Sequence, residues 1–153
     1  MSVSFAYQNL GVPDLYQCGL RPRTAPLGVL LVDIGADLVI RDGGQVVFTE
    51  GLFPVAELAH ALVGWLHRSD SERGDFEFDS MSYAELGAVR IARSAKEWRV
   101  GSVFEPDTWT SPVAWEVLAA EIGQFVTSVR NDVAAIGVEP SLIPDLLTAA
   151  DAV

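Results

Sequence analysis

"ELGAVRIARSAKEWRVGSVF", residues 85–104, contains two runs of alternating apolar and polar residues, "ELGAVRIAR" and "EWRVGSVF", joined by "SAK". Successive side chains of a strand point to opposite faces, and three residues are enough for a hairpin loop. The stretch therefore predicts an antiparallel pair. With Val89, Ile91, Trp98, Val100 and Phe104 turned inward, Arg90, Glu97 and Arg99 face outward.

Just upstream, "RGDFEFDS" (73–80) places Asp75, Glu77 and Asp79 on alternate positions with Phe76 and Phe78 between them. A strand here sends the three acids to one face and the two rings into a core. Laid beside the 85–104 pair, its acids can meet Arg90 or Arg99 across strands, as a ladder on a solvated face. The same row is also a surface that a basic partner would recognise, and residues 73–80 alone do not choose between the two.

Working outward, "LGVLLVDIGADLVI" (27–40) is rich in β-branched residues and interrupted by Gly35, where a turn or bulge fits. "RDGG" (41–44) signals a turn and "QVVFTE" a returning strand. "PVAELAHALVGWLHR" (54–68) has Pro54 for a first helical turn, with Val55, Leu58, Ala59, Leu62 and Leu66 at spacings of three and four. "EPDTWT" reads as a turn carrying Trp109 in an acidic loop. Ser111 and Pro112 then open a helix over 112–136 that ends near Gly137. Residues 1–25 read as a short strand or irregular lead-in, and "PSLIPDLLTAADAV" (140–153) as a short terminal helix.

These periodicities predict one α+β domain. A mostly antiparallel sheet, from about 27–50 and 75–104, is covered by helices 54–68 and 112–136, within a layout of lead-in (1–25), sheet with one helix (27–104) and C-terminal helices (112–153). The expected core is Leu58, Leu62, Phe76, Phe78, Val89, Ile91, Trp98, Val100, Leu118, Ile122 and Phe125.

The composition agrees with a packed domain. Half of the 153 residues are apolar and one in five is charged, which excludes a mainly disordered chain. The net charge is −11, and residues 101–153 hold eight acids against Arg130 alone. Such a field repels nucleic-acid phosphate and anionic lipid and favours a cationic partner. No nucleic acid or membrane partner is expected. Cys18 is the lone cysteine, "MSVSFAYQNL" lacks the basic start and apolar run of a secretory signal, and no apolar stretch reaches membrane-helix length. A cytoplasmic location is expected.

Motifs for chemistry are missing. His60 and His67 lie seven apart on one predicted helix, too far for one metal through that helix. "DGGQ" and "DIGAD" lack phosphate-loop spacing. "RGD" (73–75) matches an adhesion tripeptide, but three letters recur by chance. Asp75, Glu77 and Asp79 are the remaining candidates, yet on a strand they stand roughly 6 to 7 Å apart and point outward, without the pocket that acid catalysis or calcium binding needs. The sequence therefore predicts no enzyme, no catalytic residue, no metal ligand and no cofactor. A partner-binding role falls to Asp75, Glu77 and Asp79, with Trp109 as an aromatic anchor.

The hairpin before "FPVAELAHALVGWL", the "FEF" strand, "EWRVGSVFE" and the helix "LAAEIGQFVTSVRNDVAAIGV" together resemble small immunity proteins of bacterial, particularly actinobacterial, polymorphic-toxin systems, over about residues 27–138. The resemblance implies a non-enzymatic protein that binds a cognate toxin domain and blocks its active site, often with an acidic face against a basic toxin. It transfers no binding residues. A small acidic chaperone-like or dimeric scaffold, working as a homodimer through an apolar helix face, is the competing class. A small hydrolase or ligand-binding domain is the third.

Overall fold

The fold is that of a computed structural model and is described for residues 3–12, 30–31 and 33–144. The element order is β1 (Val3–Gly11), β2 (Gly35–Asp42), β3 (Gln45–Phe53), α1 (Val55–Leu66), β4 (Phe76–Glu77), β5 (Arg90–Ser94), β6 (Glu97–Ser102), β7 (Glu105–Trp109) and α2 (Trp115–Ala135), followed by a 3-10 turn at Pro140–Leu142. The strands form two antiparallel sheets, β1-β2-β3 and β4-β5-β6-β7. The architecture is a single α+β domain, as the periodicity predicts. The strand content is divided between two sheets, where one had been expected.

The hairpin signals act where they were read. Asp42 pairs with Gln45 across a Gly43–Gly44 turn in which Gly43 has φ +60°, a conformation that costs a side-chain-bearing residue and not glycine. The second hairpin closes more tightly than "SAK" suggests: Ser94 pairs with Glu97, so that only Ala95 and Lys96 form the turn.

The structure departs from these expectations at four places. Residues 3–11, within the expected lead-in, form a nine-residue strand paired with β2. Leu30, Leu31 and Asp33 are helical, with Ile34 N–H donating to Leu30 O at 3.0 Å, so the strand expected from residue 27 begins only at Gly35. Leu30 and Ile34 are both buried, at the spacing of one helical turn. Helix α2 starts at Trp115 and not at Pro112, because Val113 makes an extended bridge to Trp98 with both backbone bonds at 2.9 Å. Ser111 caps nothing; its N–H and Oγ both donate to Asp42 Oδ2 at 2.8 Å. Phe104, expected inside, is 38% exposed, because β6 ends at Ser102 and the alternation stops with it.

Helix α2 ends as read. Gly137 has φ +88°, with Val138 N–H bonding Val133 O and Gly137 N–H bonding Ala134 O, a left-handed cap that satisfies the last carbonyls. The terminal helix expected over 140–153 is seen only as the 3-10 turn; residues 145–153 lie outside the described residues.

All eleven expected core residues are buried within one continuous apolar cluster that joins both sheets and both helices. Helix α1 is buried on more sides than a surface helix would be, Val55–Ala59, Leu62, Val63 and Trp65 all being inside. It packs on β2 and α2, while the Trp65 ring meets Phe76 of β4 and Trp98 of β6 at 5.7 and 5.3 Å. The helix thus connects the sheets as well as covering them. Among the described residues no helix is long and apolar enough to cross a membrane.

Candidate functional site

The outer face of the four-stranded sheet carries the residues singled out from sequence. Register places Glu77 opposite Arg90, Arg90 opposite Gly101, and Gly101 opposite Trp109. These four positions form one row across the sheet. Gly101 supplies the bare spot in it: a Cβ there would stand 3.0 Å from both Thr108 O and Cε3 of Trp109, so the indole lies over the glycine. The Arg90 guanidinium sits 4.3 Å from the Trp109 ring and Arg99 5.4 Å from it. The Nε groups of Arg90 and Arg99 are buried without a hydrogen-bond acceptor, while their guanidinium groups lie within cation–π range of the indole. Arg90 also donates from Nη2 to Pro106 O at 3.2 Å.

This arrangement corrects two expectations. Trp109 does not lie in a loop, because "EPDTW" is strand β7. The arginines expected to meet the acids are the second: they turn toward Trp109 instead, and β4 and β7, which carry Glu77 and Trp109, are opposite edges of the sheet, roughly 14 Å apart at ordinary strand spacing. Gly101→Ala is expected to displace the indole and cost about 1 to 3 kcal/mol through forced repacking. A shifted tryptophan emission with a lowered thermal midpoint would show it, whereas unchanged values would contradict the stacking.

The edge strand is only two residues long, Phe76–Glu77, shorter than the alternation over 73–80 predicts, so Asp75 and Asp79 flank it; Asp75, Glu77 and Asp79 are nonetheless all exposed, while Phe76 and Phe78 between them are buried. Asp75 accepts a 3.0 Å bond from Arg93 N–H through Oδ1. Six acids occur between residues 70 and 85 (Asp70, Glu72, Asp75, Glu77, Asp79, Glu85), and Arg73 is the only cation of that stretch. Arg73 is committed elsewhere: its Nη1 is 2.6 Å from Asp70, its Nη2 donates to the carbonyls of Leu66 and Arg68, and its guanidinium lies 4.0 Å from the Trp115 ring. Among the described residues none of the other five acids is ion-paired. The segment is therefore a strongly negative strip. The "RGD" arginine is a buried clamp and not a displayed recognition group.

Two further polar features were not legible in the sequence. Glu57, on α1, is buried and accepts from Ser80 Oγ and, at 3.2 Å, from Met81 N–H, tying the segment after β4 to the helix. Tyr7 on β1 donates to Asp132 on α2 beside an open groove of about 320 Å³ lined by Phe5, Gln124, Phe125 and Ser128. Burial, and then the Asp132 carboxylate, raise the Tyr7 hydroxyl well above the ordinary phenol range, which keeps it a neutral donor. Tyr7 and Asp132 lie 125 residues apart, and nothing local marks either. His60 and His67 are exposed, and among the described residues no three His, Cys, Asp or Glu side chains gather as a metal-holding group.

No curated protein and no solved structure matches the chain. A family model described as "Domain of unknown function (DUF7878)" matches residues 22–135, which runs through β2 to the last residue of α2, and the chain belongs to that family.

Proposed function

We propose that the protein is a non-enzymatic binding protein that acts in the cytoplasm as an immunity protein, docking a cognate toxin with a basic surface through its acidic strip. One observation carries this reading: the acids Glu72, Asp75, Glu77, Asp79 and Glu85 are exposed and without an ion-pair partner among the described residues. A solvated face that served stability alone would interleave cations, as cross-strand pairs do. Here Arg90 and Arg99 are spent on Trp109. Uncompensated acids on a protein of net charge −11 accelerate encounter with a cationic surface and reject anionic ones.

Glu77→Lys with Asp79→Lys tests this. Both side chains are exposed, so the variant should fold with a nearly unchanged thermal midpoint. Its association with the toxin should slow by at least about tenfold at low salt, less so at high salt, and protection of a toxin-expressing cell should be lost. Full protection with wild-type association rates would overturn the reading. A dimeric scaffold predicts instead a concentration-dependent dimer by sedimentation, unaffected by the charge reversal.

A further inference from the structure

The segment that follows the acidic edge strand displays apolar side chains on a backbone that is tied down at both ends. Met81 is 69% exposed, Leu86 50% and Phe104 38%, and the half-buried Tyr83 ring lies 5.5 Å from Phe104 and 5.7 Å from Phe53. Phe104 in turn stacks at 6.4 Å on Phe48. Tyr83 and Phe104 thus belong to an aromatic chain that reaches the core through Phe53 and Phe48, and Met81 and Leu86 lie two and three residues from Tyr83 in sequence. At one end of the segment the buried Glu57 holds Ser80 and Met81. At the other, Gly87 N–H donates to Phe78 O at 3.0 Å, and Gly87 O accepts from Val103 N–H at 2.8 Å. Gly87 has φ +94°, a conformation that favours glycine, and it sets Leu86 beside the 103–104 turn.

We propose that Met81, Tyr83, Leu86 and Phe104 form a preorganised ledge on which an apolar, lysine- or arginine-flanked segment of a partner protein anchors. This rests on the binding reading above and adds to it the place where affinity, as opposed to steering, resides. Exposed apolar side chains clustered on a rigid support mark interaction surfaces, and rigidity lowers the ordering cost of binding. Charge selects the occupant. Asp79, Glu85 and Glu105 flank the ledge in sequence and are exposed. Burial, followed by the Glu50 carboxylate, raises the Tyr83 hydroxyl above the ordinary phenol range. A second copy is disfavoured: a two-fold interface sets each patch against itself, so these acids would oppose one another. A cationic amphipathic segment satisfies both the apolar centre and the acidic rim.

The probes are a leucine–lysine amphipathic helical peptide and a lysine-only peptide of equal charge. They are titrated into the wild type, into Met81→Ser/Leu86→Ser and into Glu77→Lys/Asp79→Lys, by calorimetry and amide chemical shifts. Wild type should bind the amphipathic peptide more tightly, with shifts at residues 81–87 and 103–104. The serine variant should lose about tenfold or more for that peptide and nothing for the lysine-only one. Equal affinities of wild type and serine variant for the amphipathic peptide would overturn the ledge and leave the acidic strip standing. If neither peptide bound wild type, the strip and the ledge would fail together. A dimer of the wild type abolished in the serine variant would make the occupant a second copy and overturn the proposal.

Discussion

Phe78→Ala is expected to cost about 3 to 5 kcal/mol, since removing a fully buried ring adds a cavity to the lost transfer energy. Phe78 is 1% exposed and its ring lies 5.6 Å from Phe53. With Tyr83, whose ring lies 5.7 Å from Phe53, it therefore makes the contact between β3 of the first sheet and the segment that follows β4 of the second. Its backbone N–H also donates to Val89 O at 2.9 Å, so the strand cannot slide to refill the space without losing a ladder bond. For a domain of this size the loss should lower the thermal midpoint by roughly 10 °C. Phe104→Ala, at a ring that is part exposed, should cost only about 1 kcal/mol. Equal effects at the two sites would contradict the end of β6 at Ser102 and the inward placement of Phe78.

Arg73→Ala is expected to cost about 3 kcal/mol. The Arg73 side chain is only 7% exposed, and it does the work that a C-terminal cap would otherwise do for α1. That helix has no basic residue in its last turn, and the guanidinium supplies the missing cation by donating to the Trp65, Leu66 and Arg68 carbonyls. It also covers Trp115 at 4.0 Å, where a desolvated cation–π contact contributes up to about 2 kcal/mol. Arg73→Lys should recover little, because a single ammonium cannot reach several carbonyls and lie flat on an indole at once. Asp70→Asn, at an exposed carboxylate, should change stability by less than about 1 kcal/mol. Urea unfolding followed by tryptophan emission separates these cases; if Arg73→Ala and Asp70→Asn were equivalent, the arginine would be no more than half of a surface ion pair.

Arg73 and Glu57 separate what holds the fold from what the surface is free to do. Arg73 belongs to the packing and leaves its acidic neighbours without a counter-charge, and Glu57 anchors the loop that carries Met81 and Leu86 outward. The negative strip and three of the four ledge residues are adjacent because they lie on one stretch of chain, residues 70–87, held by Arg73, by Glu57 and by the backbone bonds of Gly87; Phe104 joins the ledge from the turn after β6.

The sequence by itself determined both long helices, the strands of the two hairpins, the Gly43–Gly44 turn, the Gly137 cap and the identity of the core, because each is written in a local signal. Periods of two and of three to four decide which side of a strand or helix meets apolar surroundings, and glycine marks the positive φ of a turn. It determined the surplus of acid in residues 70–85 for the same reason. Only the tertiary structure decided that the strands divide into two sheets, that residues 3–11 pair with β2, and that α1 connects the sheets. Those depend on which distant segments bury one another, which no local period encodes. Side-chain direction was likewise settled in three dimensions. Register alone sets Arg90 opposite Glu77, yet Gly101 leaves room for Trp109 over the sheet, and the indole face draws the guanidinium groups of both Arg90 and Arg99. The acids stay uncompensated because of a missing Cβ two strands away.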